Sequence, residues 1–185
     1  MQLYCDTIYI SLGHDCSVAY RLQQLKLRKV SLPFDWIRCN ELKYITYCIG
    51  NKFQDFFDKL TIEKRQDDKF QIIHEDWSDT QGTSKCTIKN TDYNFVFPHD
   101  DIDDFIPKYK RRIERFYDIL KNDKIKKIFI RLSKKDETKE LLELTQLLNI
   151  YTKNYDIFTH VYDKHKKYET WKKDEIDWSF IHETI

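Results

Sequence analysis

The stretch Thr7-Ile8-Tyr9-Ile10-Ser11-Leu12-Gly13-His14-Asp15-Cys16 contains a change of pattern that decides the fold. Its first half is apolar and β-branched, which is typical of a strand buried on both faces. Beyond the turn, Val18, Ala19 and Leu22 recur at the spacing of one helix face. We therefore predict a strand that ends at Gly13, followed by a turn that presents Cys16 at the start of a helix.

The rest of the chain predicts further strands in an α/β order. Short apolar runs at 127–132 and 155–161 flank a helix that Asp136 caps, and strand–helix–strand order favours parallel pairing. The segments 87–89 and 93–97, joined by a polar turn, predict a β-hairpin. A weaker pattern at 69–74 is compatible with another strand, and 78–84 is loop-like. The expected fold is α/β, with a mainly parallel central sheet, helices on both faces and a β-hairpin.

The other helical segments fit one domain. Asn40 is placed to cap a helix that Gly50 ends, an aromatic stripe of Phe53, Phe56 and Phe57 continues at helical spacing, and Pro107 suits the first turn of another helix. A chain of 185 residues is the size of one domain, so we expect a single domain over 1–185. Its charged tail, 164–185, would be docked by tryptophans, Trp171 and Trp178.

Composition excludes several classes of protein. The 32 basic and 31 acidic residues nearly cancel, which disfavours a dedicated nucleic-acid binder. The five cysteines are irregularly spaced and form no C-x-x-C pair, so free thiols are expected. No signal peptide or membrane-spanning run is visible, and we expect a cytoplasmic protein without membrane partners.

Residues with reactive side chains follow several of the predicted strands. Parallel strands bring their carboxyl ends to one edge of a sheet, where binding sites form. The residues expected at this edge are His14, Asp15 and Cys16 after the first strand, His99 and Asp100 after the hairpin, Arg131 near the end of the next strand, and His160 and Asp163 at the last.

Cys16 is the candidate nucleophile. The positive end of a helix dipole stabilises a thiolate and lowers its pKa from about 8.5 toward neutrality. Gly13 permits a tight turn, and backbone N–H groups at the helix start can stabilise an oxyanion. The alternative is that Cys16 simply fills a small space beneath the helix.

His99 is the preferred general base, because the strand before it would hold its backbone firmly. Asp100 lies beside it, and Asp35, after Pro33 and Phe34, is a second carboxylate that can orient an imidazole. The alternative for His99 is a surface histidine at a strand end, and the alternative for Asp35 is an aspartate that stabilises a turn or caps a helix. His14 is too close in sequence to Cys16 to be assumed in line with it, although a contact is possible. Asp15 suits a helix cap better than a catalytic role.

Cofactor chemistry is not indicated by the motifs. His14, Cys16 and His99 could together bind a metal, but their spacing matches no metal motif, so no metal is expected. No Walker A or G-x-G-x-x-G segment is present, and we expect no cofactor. The basic run 108–115 is compatible with phosphate binding, or with a solvated helix face.

Several blocks of the sequence carry a resemblance, in the order Ile10-Ser11-Leu12-Gly13-His14-Asp15-Cys16, Leu32-Pro33-Phe34-Asp35-Trp36, Phe97-Pro98-His99-Asp100, Lys110-Arg111-Arg112-Ile113 and Phe129-Ile130-Arg131. The chain thereby resembles an uncharacterised family of predicted papain-like cysteine peptidases found in bacteria and large DNA viruses. The resemblance implies Cys16 as nucleophile and His99 as base, with Asp35 or Asp100 as the orienting acid. We add Gly13, His14 and Arg131 as candidate substrate or oxyanion groups. For a viral protein the expected compartment is the host cytoplasm.

A strand that leads directly into the nucleophile differs from a strict papain layout. It is more similar to hydrolases built on parallel sheets, including small esterases with a serine at that turn. That analogy makes Asp177 and His182 rival acid and base candidates.

Three functions remain open at this point. The first is a cysteine-dependent hydrolase or acyl transferase that acts on a peptide or another acyl substrate. The second is a non-catalytic interaction module derived from a hydrolase, with the basic helix as a contact surface. The third is an enzyme directed at carbohydrates or glycolipids that uses the same edge of the sheet. The sequence does not define the oligomeric state.

Overall fold

A computed structural model describes residues 6–64, 86–100, 102–163, 165 and 175–182. These residues form one mixed α/β domain with two sheets. The strands are β1 (Thr7–Ser11), β2 (Leu60–Lys64), β3 (Cys86–Asn90), β4 (Phe95–Phe97), β5 (Lys126–Ser133) and β6 (Tyr155–Val161). The helices are α1 (Ser17–Gln24), α2 (Leu42–Gly50), α3 (Ile102–Lys121), α4 (Thr138–Tyr151) and α5 (Ser179–His182).

The central sheet has the order β1-β5-β6, and both of its pairings are parallel. Side chains alternate between its faces, as the pleat of a strand requires. Ile8, Ile10 and Phe129 enter the larger core beneath α2 and α4. Tyr9 and Ile130 enter a smaller core with side chains of α1 and α5. The predicted parallel sheet with helices on both faces is confirmed.

The predicted hairpin is confirmed, but it belongs to a second sheet. β3 and β4 pair antiparallel, and β2 adds to the other edge of β3. Buried Asn90 closes the turn, because its side-chain oxygen accepts hydrogen bonds from the amides of Asp92 and Tyr93. Ile88, Phe95 and Phe97 join the larger core, so the two sheets share it. The segments 69–74 and 78–84 lie outside the described residues.

Two helix starts differ by one residue from the sequence prediction. Glu41 rather than Asn40 precedes α2, and Glu137 rather than Asp136 precedes α4. The reason at α4 is that Glu137 turns inward to a buried partner. Asp136 still accepts a hydrogen bond from the Thr138 amide at 3.0 Å.

The aromatic stripe after α2 was expected to continue a helix, and this was wrong. Residues 51–59 form successive turns, with positive φ at Lys52, Phe53 and Lys59. Phe53 and Phe56 are nevertheless buried, and they pack on aromatic side chains from α3 and β4. The burial was therefore anticipated correctly although the local conformation was not.

Arg131 and Glu137 form a buried ion pair beneath the carboxyl end of the central sheet. The guanidinium, 1% exposed, donates to both carboxylate oxygens of Glu137 at 2.7 and 2.8 Å. It also donates to the carbonyls of Leu12 and Cys39, while Glu137 accepts from the Leu42 amide. One ion pair thus connects β1, β5, the segment before α2 and the start of α4.

In the described part of the C-terminal segment, Ile176, Trp178 and Ile181 pack in the smaller core. Trp178 is 2% exposed and lies in that core, whereas Trp171 falls outside the described residues. Among the helices that are described, none combines the length and apolar character needed to cross a bilayer.

Candidate active site

The turn between β1 and α1 places Cys16 directly at the start of the helix. Gly13 and His14 both have positive φ, at 67° and 83°, so the chain reverses sharply after the strand. The Gly13 amide donates to Ser11 Oγ at 3.1 Å, which holds the turn against the strand end. Cys16 then has helical φ and ψ, and it is the N-cap of α1. The predicted strand, turn and cysteine-bearing helix start are confirmed.

Gly13→Ala is expected to destabilise the fold by about 1–2 kcal/mol, because a left-handed conformation is costly for a residue with a Cβ. An added Cβ would also lie 3.4 Å from Cγ1 of the fully buried Ile37. The matched control is Gly50→Ala, whose Cβ would make an ordinary 3.7 Å contact with Leu147. Urea unfolding measures both, and equal effects of the two substitutions would contradict this explanation.

His99 reaches Cys16 from the second sheet. It lies just beyond the end of β4, and its Nε2 is 3.3 Å from the Sγ of Cys16. The segment before α2 connects the two parts. Arg38 exchanges backbone hydrogen bonds with Val96 of β4, and the Cys39 amide donates to the His14 carbonyl. Tertiary contacts on both sides therefore fix the distance between thiol and imidazole.

The thiol and the imidazole sit at the boundary between core and solvent. Cys16 is 6% exposed, and His99 is half-buried. The indole of Trp36 contacts the imidazole edge to face, with ring centroids 5.9 Å apart. The thiol-bearing residue is therefore largely shielded, whereas the imidazole-bearing residue is partly accessible to solvent.

Neither predicted orienting acid is hydrogen bonded to His99, which corrects that expectation. Asp100 accepts hydrogen bonds from Lys108 and Tyr109 of α3, at 3.1 and 3.0 Å. Asp35 accepts from Arg28 Nε and the Leu32 amide, both at 2.9 Å. Burial raises the pKa of Asp35 above its usual range, and the Arg28 charge opposes that rise. Both carboxylates are therefore committed to other partners.

Arg131 was expected to serve as a substrate or oxyanion group, and its position is instead in the core. Its Nε and both Nη atoms donate to Glu137 and to two carbonyls. The physical reason is that a buried guanidinium needs acceptors on all sides, and Glu137 supplies the charge. Arg131 supports the carbonyl of Leu12, which directly precedes the turn, so it contacts the backbone that carries the site.

His14 lies beside the site but pairs with a residue that sequence reasoning missed. Its Nε2 is 2.6 Å from the hydroxyl of Tyr162, and the two rings meet edge to face. Tyr162 directly follows β6 and is buried. No local pattern distinguishes it from other tyrosines, although its place after a predicted parallel strand is the kind of signal that identified His99.

Asp15 was expected to cap α1, and it instead directly precedes the N-cap residue, Cys16. Its Oδ1 accepts hydrogen bonds from the amide and the hydroxyl of Ser17 in the first turn of α1. This contact occupies the Ser17 amide, which is one of the backbone groups considered for an oxyanion hole. In this arrangement the helix start acts on Cys16 mainly through its dipole.

The rival pair of Asp177 and His182 lies elsewhere. Asp177 accepts a hydrogen bond from the Ser179 amide at the start of α5, and this bond lowers its pKa. The charges that act on it come from His160 and His182, on the side of β6 and α5. His160 itself stacks on Phe180 at 5.1 Å. Within the described residues, no three His, Cys, Asp or Glu side chains are placed to hold a metal ion.

Two other thiols are deeply buried. Cys39 and Cys48 are both fully enclosed in the larger core. Burial raises the pKa of Cys39 to about 12, and it raises the pKa of Cys48 as well. Both remain protonated and shielded at neutral pH, in contrast to the placement of Cys16 beside an imidazole.

Fold and site together define an α/β protein with a thiol–imidazole pair at the carboxyl end of a parallel strand. The chain belongs to the family described as "Putative papain-like cysteine peptidase (DUF1796)", whose profile matches residues 7–161. An uncharacterised protein of Acanthamoeba polyphaga mimivirus is 31% identical over 220 aligned positions, which cover 95% of this chain and 97% of the relative. No solved structure matches the chain significantly.

Proposed function

We propose that the protein is a cysteine-dependent hydrolase of the papain-like peptidase type, with Cys16 as nucleophile and His99 as general base. The observation that carries this proposal is the 3.3 Å separation of Cys16 Sγ and His99 Nε2. That distance permits proton transfer between the two groups, as the activation of a thiol nucleophile requires. The family described as papain-like peptidases supports the same chemistry.

The proposed reaction has two half-steps. His99 Nε2 takes the thiol proton, and the thiolate of Cys16 adds to the carbonyl carbon of a peptide or other acyl substrate. The imidazolium then gives its proton to the leaving group as the bond to that group breaks, which leaves a thioester on Cys16. A water molecule then attacks the thioester carbon while His99 takes a proton from that water. The C–S bond breaks, which releases the carboxylic acid and returns the thiolate of Cys16 beside the imidazolium of His99.

Stabilisation of charge supports this sequence of steps. The N-terminal end of α1 begins at Cys16, so its dipole favours the thiolate before attack and the oxyanion after it. The carboxylate of Asp15 lies nearby and opposes that effect, but its charge is engaged by the Ser17 amide and hydroxyl. An ion pair with the imidazolium of His99 is therefore the main source of thiolate in the proposed mechanism.

The test is the pH dependence of alkylation by iodoacetamide, followed residue by residue with mass spectrometry. We expect Cys16 to react with a rate plateau that extends below pH 7, as an ion-paired thiolate does. Cys39 should stay unlabelled through the neutral range, because its pKa is raised to about 12. His99→Ala should remove the plateau and return Cys16 to the profile of an ordinary thiol, which titrates near pH 8.5.

Two results would speak against the proposal. One is a wild-type Cys16 whose reactivity rises only near the pKa of an ordinary thiol. The other is a plateau that persists unchanged in His99→Ala. Cys48→Ala serves as the matched control, because it removes a thiol that is buried in the larger core. This substitution should leave the pH dependence of Cys16 alkylation unchanged.

A further inference from the structure

We infer that Trp36 is a positioning residue for His99, and that Asp35 acts on the imidazole through Arg28 and Trp36. The inference rests on the proposed function, because it concerns how the base of that site is held. It gives a structural role to Asp35 and Trp36 of the Leu32-Pro33-Phe34-Asp35-Trp36 block, which carries part of the resemblance to the family.

The first contact in this chain is between Trp36 and His99. Their ring centroids are 5.9 Å apart and their planes meet at 78°, an arrangement in the favourable range for edge-to-face aromatic pairs. Asp35 and Ile37 on either side of Trp36 are buried, whereas the indole itself is half-buried. The indole therefore lies along one side of the imidazole, on a backbone that the core holds in place.

The second contact fixes the indole. The guanidinium carbon of Arg28 lies 5.4 Å from the centroid of the Trp36 ring, within cation–π distance. Arg28 is itself held by two hydrogen bonds, from Nε to Asp35 at 2.9 Å and from Nη2 to Ser31 Oγ at 2.7 Å. The guanidinium of Arg28 is planar, so two hydrogen bonds from its nitrogens set its orientation. The guanidinium in turn sets the orientation of the Trp36 ring that it contacts.

Asp35 anchors this arrangement to the backbone. Its Oδ2 accepts from both Arg28 and the Leu32 amide. Nearby, the Ser31 carbonyl accepts from Arg115 of α3 at 2.7 Å, which ties the same segment to a long helix. In a catalytic triad the buried carboxylate contacts the imidazole directly. Here Asp35 acts on the imidazole indirectly, through the guanidinium of Arg28 and the indole of Trp36.

The mechanical consequence concerns the imidazole. His99 is half-buried, so its ring can leave the line to Cys16 unless a neighbour excludes the other rotamers. The Trp36 indole is such a neighbour. Loss of its volume, or loss of the Arg28 contact that holds it, should lower the fraction of molecules in which Nε2 faces the thiol.

The experiment compares Cys16 alkylation by iodoacetamide from about pH 5 to about pH 9 in a set of variants. Trp36→Leu should lower the rate on the low-pH plateau by about two- to tenfold, the size expected when one aromatic pair that orients a reacting group is lost. Trp36→Phe keeps an aromatic ring and should restore most of the rate. Arg28→Lys keeps the positive charge but loses the planar guanidinium. Its alkylation rate should therefore fall toward that of Trp36→Leu.

The chain offers matched controls for both substitutions. Arg21 is in the last turn of α1, at the opposite end of that helix from Cys16, and it lies 5.9 Å from the ring of Trp178, which is buried in the smaller core. Arg21→Lys and Trp178→Phe therefore change the same type of pair away from the site, and should leave the Cys16 profile unchanged. Circular dichroism establishes that each variant is folded, and Arg28→Lys tests the inference even if Trp36→Leu unfolds.

The outcomes separate the inference from the proposed function. A His99-dependent plateau in the wild type that survives intact in both Trp36→Leu and Arg28→Lys overturns the positioning role and leaves the hydrolase proposal standing. A wild-type plateau that is absent, or independent of His99, overturns both. A plateau lowered in the Trp36 and Arg28 variants but unchanged in the controls supports the inference.

Discussion

Cys16→Ala is expected to abolish hydrolysis, with a loss of about 10⁴- to 10⁶-fold, because the proposed mechanism forms its thioester on the sulfur of Cys16. His99→Ala should cost about 10²- to 10⁴-fold, the usual contribution of a general base. A pooled library of fluorogenic peptides measures peptidase activity, and 4-nitrophenyl acetate measures transfer of an acyl group to Cys16. Mass spectrometry of the acetylated chain identifies the modified residue directly.

The controls for this prediction come from other histidines. His160 stacks on Phe180 and His182 is exposed on α5, so alanine at either position should leave acylation of Cys16 unchanged. Activity lost in His182→Ala but kept in His99→Ala would instead favour the esterase-like arrangement with Asp177. Peptide hydrolysis that survives in Cys16→Ala would refute the assignment of the nucleophile.

Breaking the Arg131–Glu137 pair should have the largest effect on stability. Arg131→Met leaves a buried carboxylate without its partner, which costs about 3–5 kcal/mol. It also removes the donors to the carbonyls of Leu12 and Cys39. For a domain of this size, a loss of that magnitude lowers Tm by roughly 6–20 °C. Thermal unfolding followed by circular dichroism measures the change.

Two further variants decide whether the cause is the unpaired charge. The double substitution Arg131→Met with Glu137→Leu removes both charges, so it should recover much of the lost stability. Lys126 and Asp156 form a solvent-accessible pair at 2.8 Å, and Lys126→Met should cost about 1 kcal/mol or less. Equal costs for the buried and exposed pairs would show that desolvation is not the reason.

The turn at Cys16 could be predicted because its signals are local. The change from strand to helix pattern and the glycine between them lie within one short stretch, and a left-handed Gly13 is what such a turn requires. The parallel sheet followed from the alternation of strands and helices in the second half. His99 could be found because it follows an apolar strand, although the sequence did not reveal that this strand lies in a separate sheet.

The partners of the buried charges could not be predicted, because they depend on side-chain directions in three dimensions. Asp35 and Asp100 look alike in sequence as orienting acids, yet one turns to Arg28 and the other to Lys108 and Tyr109. Glu137 lies beside a residue that was expected to cap a helix, and no periodicity marks a carboxylate that enters the core. Contacts such as Trp36 with His99 form between segments distant in sequence and leave no local pattern.

The order of strands in the central sheet has a consequence for how the molecule is made. β5 occupies the middle of the sheet, and its Arg131 bonds to Leu12 across 119 residues. A ribosome therefore synthesises Cys16 well before β5, the strand that supports the turn next to it. Such non-local pairing makes folding slow, and it delays assembly of the thiol with its imidazole until the domain can close. The proposed thiol–imidazole site therefore gains its full support only after β5 has been synthesised.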